Sequence, residues 1–357
     1  MTDILQLARP ELRALKPYTP GTYEPGLVRL NANESPWRMP DDDTERGLNF
    51  YPPPRPFALR ERLAKHYGVS EKKVLVTRGS TEAIDLLVRG FCTAGKDQLL
   101  ICPPTFDMYR LYAGIQNTEV LEVPLVKAKG FALDPKSILD RVTQRTKIIF
   151  LCSPNNPTGQ SIGHEEVEYI CEAVKEKTLV VLDEAYQEFS DKPDFRILEE
   201  RYENVLILRT LSKFVSLAGA RCGVLIAKPE LIDFLSSVLP PYTFPTPSIE
   251  LVLKAMSKHS LRVSEERVAI LRSERKRVRK ALMDVDGVQT VWPSDANFIF
   301  IETSDAGAFQ KAARQANILV RTFPDQPALR NCIRITIGEP KDNDLLLRAF
   351  FETRLSQ

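Results

Sequence analysis

Apolar residues in this chain gather in short unbroken runs separated by segments with helical spacing. The runs are Val74-Leu75-Val76, Leu99-Leu100-Ile101-Cys102, Val120-Leu121-Glu122-Val123, Lys147-Ile148-Ile149-Phe150-Leu151-Cys152, Leu179-Val180-Val181-Leu182, Val205-Leu206-Ile207-Leu208 and Gly223-Val224-Leu225-Ile226-Ala227. Runs this short and this continuous predict strands buried on both faces, as in a parallel sheet. Between them, residues 57–67 carry Leu59, Leu63 and Tyr67 on one stripe before a stop at Gly68. That stretch, together with one opened by 77–82 and running to about 91, and with 138–142, 164–175 and 229–239, predicts helices. Strand and helix alternate, so an α/β architecture is expected, with a mostly parallel central sheet flanked by helices. Ligands of such sheets bind at the carboxyl ends of the strands.

The ends of the chain read differently. Residues 1–56 are rich in proline and keep no period, which predicts an extended arm. The proline cluster Pro240-Pro241-Tyr242-Thr243-Phe244-Pro245-Thr246-Pro247 marks a boundary. Beyond it, 249–284 predicts one long charged helix whose acidic and basic runs form a solvated face. Strands are expected at 288–291, 297–301, 318–320 and 332–337, and helices at 306–316 and 343–356. Together these make a smaller α+β domain whose strand ends carry Arg321 and Arg334.

Composition narrows the function. A chain of 357 residues exceeds one usual core, and 43% apolar with 27% charged residues suits a soluble globular protein. Forty-nine basic against 47 acidic side chains leave a net charge of +2, and no basic block is interleaved with aromatics. A nucleic-acid partner is therefore not expected. The N-terminal residues lack the apolar core of a signal peptide, and no uncharged apolar run approaches a membrane span, so a cytoplasmic protein without a membrane partner is expected. Six cysteines are scattered without a close pair, which predicts structural thiols. Three histidines lie far apart, which speaks against a zinc site.

The candidate chemistry centres on Thr210-Leu211-Ser212-Lys213-Phe214, delivered by the strand at 205–208. A desolvated amine at a strand end has the lowered pKa that Schiff-base chemistry needs. Ser212 beside it and Arg221 eight residues on suit a phosphate dianion. Lysine and phosphate clamp together suggest pyridoxal 5'-phosphate. Asp183 ends the strand at 179–182, where a carboxylate can face the pyridine nitrogen. Asn156 and Tyr186 can donate to the ring oxygen, Ser80, Thr81, Ser212 and Arg221 can cradle the phosphate, and Tyr109 can supply a stacking face. Each alone has a plain structural reading: an idle lysine, a helix cap at 80–82, turn residues at 30–36 and 49–52. Their common placement at strand ends makes them a joint signal. No strand is followed by G-x-G-x-x-G, so a nicotinamide oxidoreductase is excluded. Residues 1–56 contain no DNA-binding helices, which argues against a cofactor-binding regulator.

SPNNPTG at 153–159, DEAY at 183–186, TLSK at 210–213 and AGARCG at 218–223 resemble the motifs of fold-type-I pyridoxal-phosphate-dependent aminotransferases. LNANESP at 30–36, FYPPPRP at 50–56, RGSTEAID at 78–85, CPPTFDMY at 102–109 and IRITIG at 333–338 are further similar to the histidinol-phosphate aminotransferase family. The resemblance implies an arm with part of the small domain at 1–45, a large cofactor-binding domain at 46–242 and a small domain at 243–357. It implies that Lys213 binds the cofactor and moves a proton, with Asp183 and Tyr186 beside it. It also implies a homodimer in which Tyr51 reaches the neighbouring subunit's cofactor phosphate. Arg334, Arg321, Tyr18, Glu34 and Asn156 would hold the substrates, L-histidinol phosphate and 2-oxoglutarate or glutamate. An aromatic aminotransferase or a threonine-phosphate decarboxylase would keep Lys213, Asp183 and Arg221. Ser80-Thr81 and Phe106 depart from residues frequent in the family.

Overall fold

The structure is a computed structural model, and it describes residues 4–16, 18 and 27–353. Its main sheet has seven strands: β1 (Val74–Thr77), β2 (Gln98–Ile101), β3 (Glu119–Glu122), β4 (Thr146–Cys152), β5 (Leu179–Asp183), β6 (Val205–Thr210) and β7 (Gly223–Ile226). Their order is β1-β7-β6-β5-β4-β2-β3. Neighbours from β6 to β3 pair parallel, and β7 runs antiparallel between β1 and β6. Both faces are apolar because alternate residues of each strand enter different cores. Val180, Leu182 and Ile207 pack under the helices Phe57–Tyr67 and His164–Val174. Val181, Leu206 and Leu208 pack under Ser80–Phe91, Met108–Ile115 and Pro229–Val238.

One glycine is dictated by this packing. A Cβ on Gly223 would meet the Gly79 carbonyl carbon at 2.3 Å and the Ser80 nitrogen at 2.6 Å. Only a glycine at the start of β7 lets the beginning of helix Ser80–Phe91 settle there.

A second sheet is antiparallel, with β8 (Val288–Val291), β9 (Phe298–Thr303), β10 (Arg321–Thr322) and β11 (Cys332–Thr336) in the order β10-β11-β9-β8. Ile299, Ile301, Ile333 and Ile335 face helices Lys258–Leu282, Ala306–Gln315 and Pro340–Phe351. Phe300 and Cys332 pack with Trp292 and Phe323 on the other side.

Three expectations are corrected. The strand expected at 318–320 lies at Arg321–Thr322, where the backbone pairs with β11, and Ile318 and Val320 pack on the small core from the preceding loop. The single helix expected over 249–284 is two, Thr246–Ala255 and Lys258–Leu282. They separate at Ser257, whose side chain accepts from the Ser260 N–H at 3.3 Å as an N-cap. The charge run on the second helix is only partly solvated. Arg275 is buried and donates to the carbonyls of Phe189 and Ala296, and buried Glu274 accepts from Arg277 and Asn343. Among the described residues no helix is long and apolar enough to cross a membrane.

Candidate active site

Strands β4, β5 and β6 lie side by side and point the same way, so their carboxyl ends form one rim. β4 ends at Cys152 and enters the turn 153–159, braced by Asn155, which donates to Pro104 O at 2.9 Å and to Thr158 Oγ1 at 2.8 Å. That bracing presents Asn156. β5 ends at Asp183 and β6 at Thr210, three residues before Lys213. A cavity over this rim is lined by Ser80, Thr81, Phe106, Asn156, Asp183, Tyr186, Thr210, Ser212, Lys213 and Arg221.

At one end of the cavity stands the start of helix Ser80–Phe91, whose first amides have no partner within the helix. Arg221, in the left-handed region at φ 55°, turns its guanidinium against that helix start and lies 3.5 Å from Thr81 Oγ1. Gly79 at φ +80° makes room for it, since a Cβ there would meet Arg221 Nη2 at 2.4 Å. The Thr210 hydroxyl donates to Ser212 Oγ at 2.9 Å and accepts from its N–H at 3.2 Å, fixing that side chain. Helix amides, the hydroxyls of Ser80, Thr81 and Ser212 and a guanidinium can make a cup for a phosphate dianion.

At the other end Asp183 is 2% exposed. The Tyr109 hydroxyl donates to its Oδ2 at 2.7 Å and the Ala185 N–H to its Oδ1 at 3.2 Å. Burial pushes the carboxyl up to about 6, against the pull of those two bonds. Lys213 Nζ sits 5.9 Å from the centre of the Tyr186 ring. Burial, and after it the Arg334 and Arg221 guanidiniums, hold the amine below the usual lysine value. Burial also raises the Tyr186 phenol, whose ring meets Phe298 of the small sheet edge-on at 5.1 Å.

The small sheet supplies cations. Arg334 donates to Asn156 Oδ1 and lies 5.5 Å over the Phe298 ring, and it stands directly opposite Arg321 in the β10–β11 register. Like charges directly opposed on a sheet are unfavourable. Among the described residues no carboxylate lies within ion-pair distance of either guanidinium. Neither guanidinium lines the cavity, but Arg334 reaches it through Asn156, and two guanidiniums without a carboxylate partner can attract an anion.

Several expected residues lie elsewhere. Tyr109 does not present its ring to the cavity: it is fully buried and stacks on Phe150 at 4.6 Å and 6°. The ring facing the cavity from this loop is Phe106, 5.7 Å from Tyr109 at 88°. The helix Met108–Ile115 turns Tyr109 inward, and no helix is evident there from the sequence because eight residues behind two prolines carry little period. Tyr18, Glu34 and Tyr51 do not line the cavity. Glu34 pairs with Arg29 at 2.9 Å and accepts the Tyr51 N–H at 2.7 Å, while the Tyr51 ring stacks on Tyr242 at 4.7 Å. Thr210, at the end of β6 and two residues before Ser212, is a further rim residue.

The chain is similar to proteins of known class. The family described as aminotransferase class I and II matches residues 29–350. The histidinol-phosphate aminotransferase of Xanthomonas euvesicatoria pv. vesicatoria (strain 85-10) is 43% identical over 357 residues, covering 99% of this chain and 98% of its own. Among solved structures, the histidinol-phosphate aminotransferase of Clostridium acetobutylicum superimposes with a TM-score of 0.77 at 21% identity, covering 85% of this chain and 90% of that one. The enzyme of the same name from Sinorhizobium meliloti, solved in complex with pyridoxal-5'-phosphate, gives 0.76 at 23% identity over 86% and 83%. These two show that the fold is that of the fold-type-I enzymes.

Proposed function

This chain belongs to the class I and II aminotransferases, and from that premise we propose that it exchanges an amino group between L-histidinol phosphate and 2-oxoglutarate. The products are 3-(imidazol-4-yl)-2-oxopropyl phosphate and L-glutamate, and the cofactor is pyridoxal 5'-phosphate. The observation that carries the choice of substrates is the Arg321–Arg334 pair. One reactant is a phosphate dianion and the other a dicarboxylate, and both use one pocket in turn. Two planar, permanently charged guanidiniums without an acid of their own suit both.

The residues of the rim fit the cofactor. Ser80, Thr81, Ser212 and Arg221 would take its phosphate, Asp183 its ring nitrogen, Asn156 and Tyr186 its ring oxygen, and Phe106 one ring face. Asn156 gives its Oδ1 to Arg334, which leaves its amide hydrogens for the ring oxygen. When bound, pyridoxal phosphate supplies the carbonyl that accepts the amino group and an electron sink for the breaking Cα–H bond. The Lys213 amine would hold the cofactor covalently between turnovers. The same amine would then take the proton from the substrate Cα, and its lowered pKa keeps more of it unprotonated near neutrality. Asp183 remains ionised above about pH 6 and so favours a protonated ring nitrogen.

The arm supports a homodimer. Leu27, Val28, Leu30, Trp37, Met39 and Phe57 are exposed large apolar residues on or beside it, a patch that a second copy would cover. In that dimer Tyr51, itself half exposed, would reach the partner's cofactor phosphate, with Glu34 and Tyr18 alongside. A cytoplasmic location fits six cysteines that are all free and buried.

The test is glutamate formation from 2-oxoglutarate with L-histidinol phosphate as donor, run beside phenylalanine as donor and beside carbon dioxide release from threonine phosphate. Arg334→Gln and Arg321→Gln should each raise KM for histidinol phosphate and for 2-oxoglutarate. Carbon dioxide release, or turnover of phenylalanine alone, would replace the assignment.

A further inference from the structure

Asp183 and Lys213 face the cavity from neighbouring strands, and a charged cluster lies behind them on the opposite face of the sheet. Its centre is Arg209 on β6, which is 3% exposed. The β5–β6 register pairs Asp183 with Leu208, and the Glu184 N–H donates to Leu208 O at 2.9 Å. The ladder therefore runs one residue past Asp183, and Glu184 stands beside Arg209. Successive residues of a strand point to opposite faces. Asp183 turns to the cavity, and fully buried Glu184 turns away to meet Arg209 Nη2 at 2.8 Å.

The same guanidinium reaches further. It lies 3.1 Å from Asp194 Oδ2 and 3.4 Å from Glu188 Oε1, and 5.5 Å over the Tyr67 ring. Glu188 and Asp194 belong to the segment that leaves β5 and carries Tyr186. Glu184 Oε1 closes that segment by accepting the Phe195 N–H at 2.9 Å. One side chain on β6, four residues before Lys213, thus grips the end of β5 and the loop behind Tyr186. A rigid fork with several donors in fixed directions can do this, and a point charge on a flexible stem cannot.

We propose that Arg209 is a positioning residue for the reaction: by clamping Glu184, Glu188 and Asp194 it sets where Asp183 and Tyr186 stand relative to Lys213. Arg209 does not line the cavity and acts through the backbone of β5 and of residues 184–195. The inference rests on the reading of Asp183 and Lys213 as the cofactor's partners.

The experiment compares Arg209→Lys, which keeps a cation, with Glu184→Gln, which keeps the acceptor for the Phe195 N–H. If the lysine variant does not fold, the glutamine variant carries the test. The readouts are the dissociation constant of pyridoxal phosphate for the cofactor-free protein, the pH titration of the bound cofactor's absorbance, and kcat apart from KM. Misplacement on the scale of an ångström should lower kcat about tenfold or more. Cofactor affinity should weaken, the titration midpoint should move, and KM for histidinol phosphate should stay within about twofold because Arg321 and Arg334 are untouched. A lower melting temperature with unchanged cofactor affinity, titration and kcat would overturn the proposal and leave Arg209 a stabilising residue only. Lys213→Ala is the control. If it still carries cofactor fixed by borohydride, the underlying reading of Lys213 has failed. If it loses that cofactor while Arg209→Lys and Glu184→Gln match the wild type, only the present inference has failed.

Discussion

The Tyr109 hydroxyl donates a 2.7 Å hydrogen bond to Oδ2 of Asp183, and both residues are buried. A phenol tied to a carboxylate in this way supports the ionised form of the acid where burial opposes it. Burial wins, and the carboxyl rises from its ordinary 3.8 to about 6.

This relationship gives a signed pH dependence. The folded, cofactor-free protein keeps a proton on Asp183 across a window in which the unfolded chain has lost it, from about pH 4 to pH 6. Stability contributed by this group is therefore lost as pH rises through that window. Relative to Asp183→Asn, the wild type should lose about 3 kcal/mol between pH 4 and 6 and stay level above, as read by urea unfolding at stepped pH. Equal pH profiles for the two proteins would show that Asp183 is not buried as described.

Phe106 and Tyr109 separate by the same logic. Tyr109→Ala opens a void against Phe150 and should cost about 3 kcal/mol of stability. Phe106→Ala, at a half-buried ring, should cost far less stability while raising the dissociation constant of pyridoxal phosphate about tenfold. Calorimetry and cofactor titration of the two variants check this. The reverse assignment of effects would return the stacking role to Tyr109.

Lys213→Ala removes a partly buried amine that makes no hydrogen bond or ion pair among the described residues, so the variant should melt near the wild type. It should carry no mass increment after treatment with pyridoxal phosphate and borohydride, where the wild type carries one on the peptide containing Lys213. A labelled variant would mean that another lysine holds the cofactor.

Ser257→Ala removes the cap that starts helix Lys258–Leu282. The expected cost is about 1 kcal/mol, seen as a lower urea midpoint with kcat and KM unchanged. A midpoint equal to the wild type would mean that packing, rather than the cap, separates the two helices.

Burial of a strand on both faces demands a continuous apolar run, so β1, β2 and β4 to β7 were legible along the chain, as were the rim residues Asp183 and Lys213, while β3 is an edge strand with one buried residue. Helix Phe57–Tyr67 was legible to its ends because its stripe stops at a glycine in the left-handed region. Local patterning could not decide directions and partners. The antiparallel course of β7 between β1 and β6 depends on where the chain returns after Arg221, and the period of a strand is the same in either sense. The inward turn of Tyr109 depends on Phe150 and Asp183, more than forty residues away in sequence. Arg275 reads as one more surface charge until the carbonyls of Phe189 and Ala296 arrive to meet it. Periodicity records what each segment must bury, because hydrophobic burial has no direction. Hydrogen bonds and charge pairs do have direction, and their geometry exists only once distant strands have been brought together.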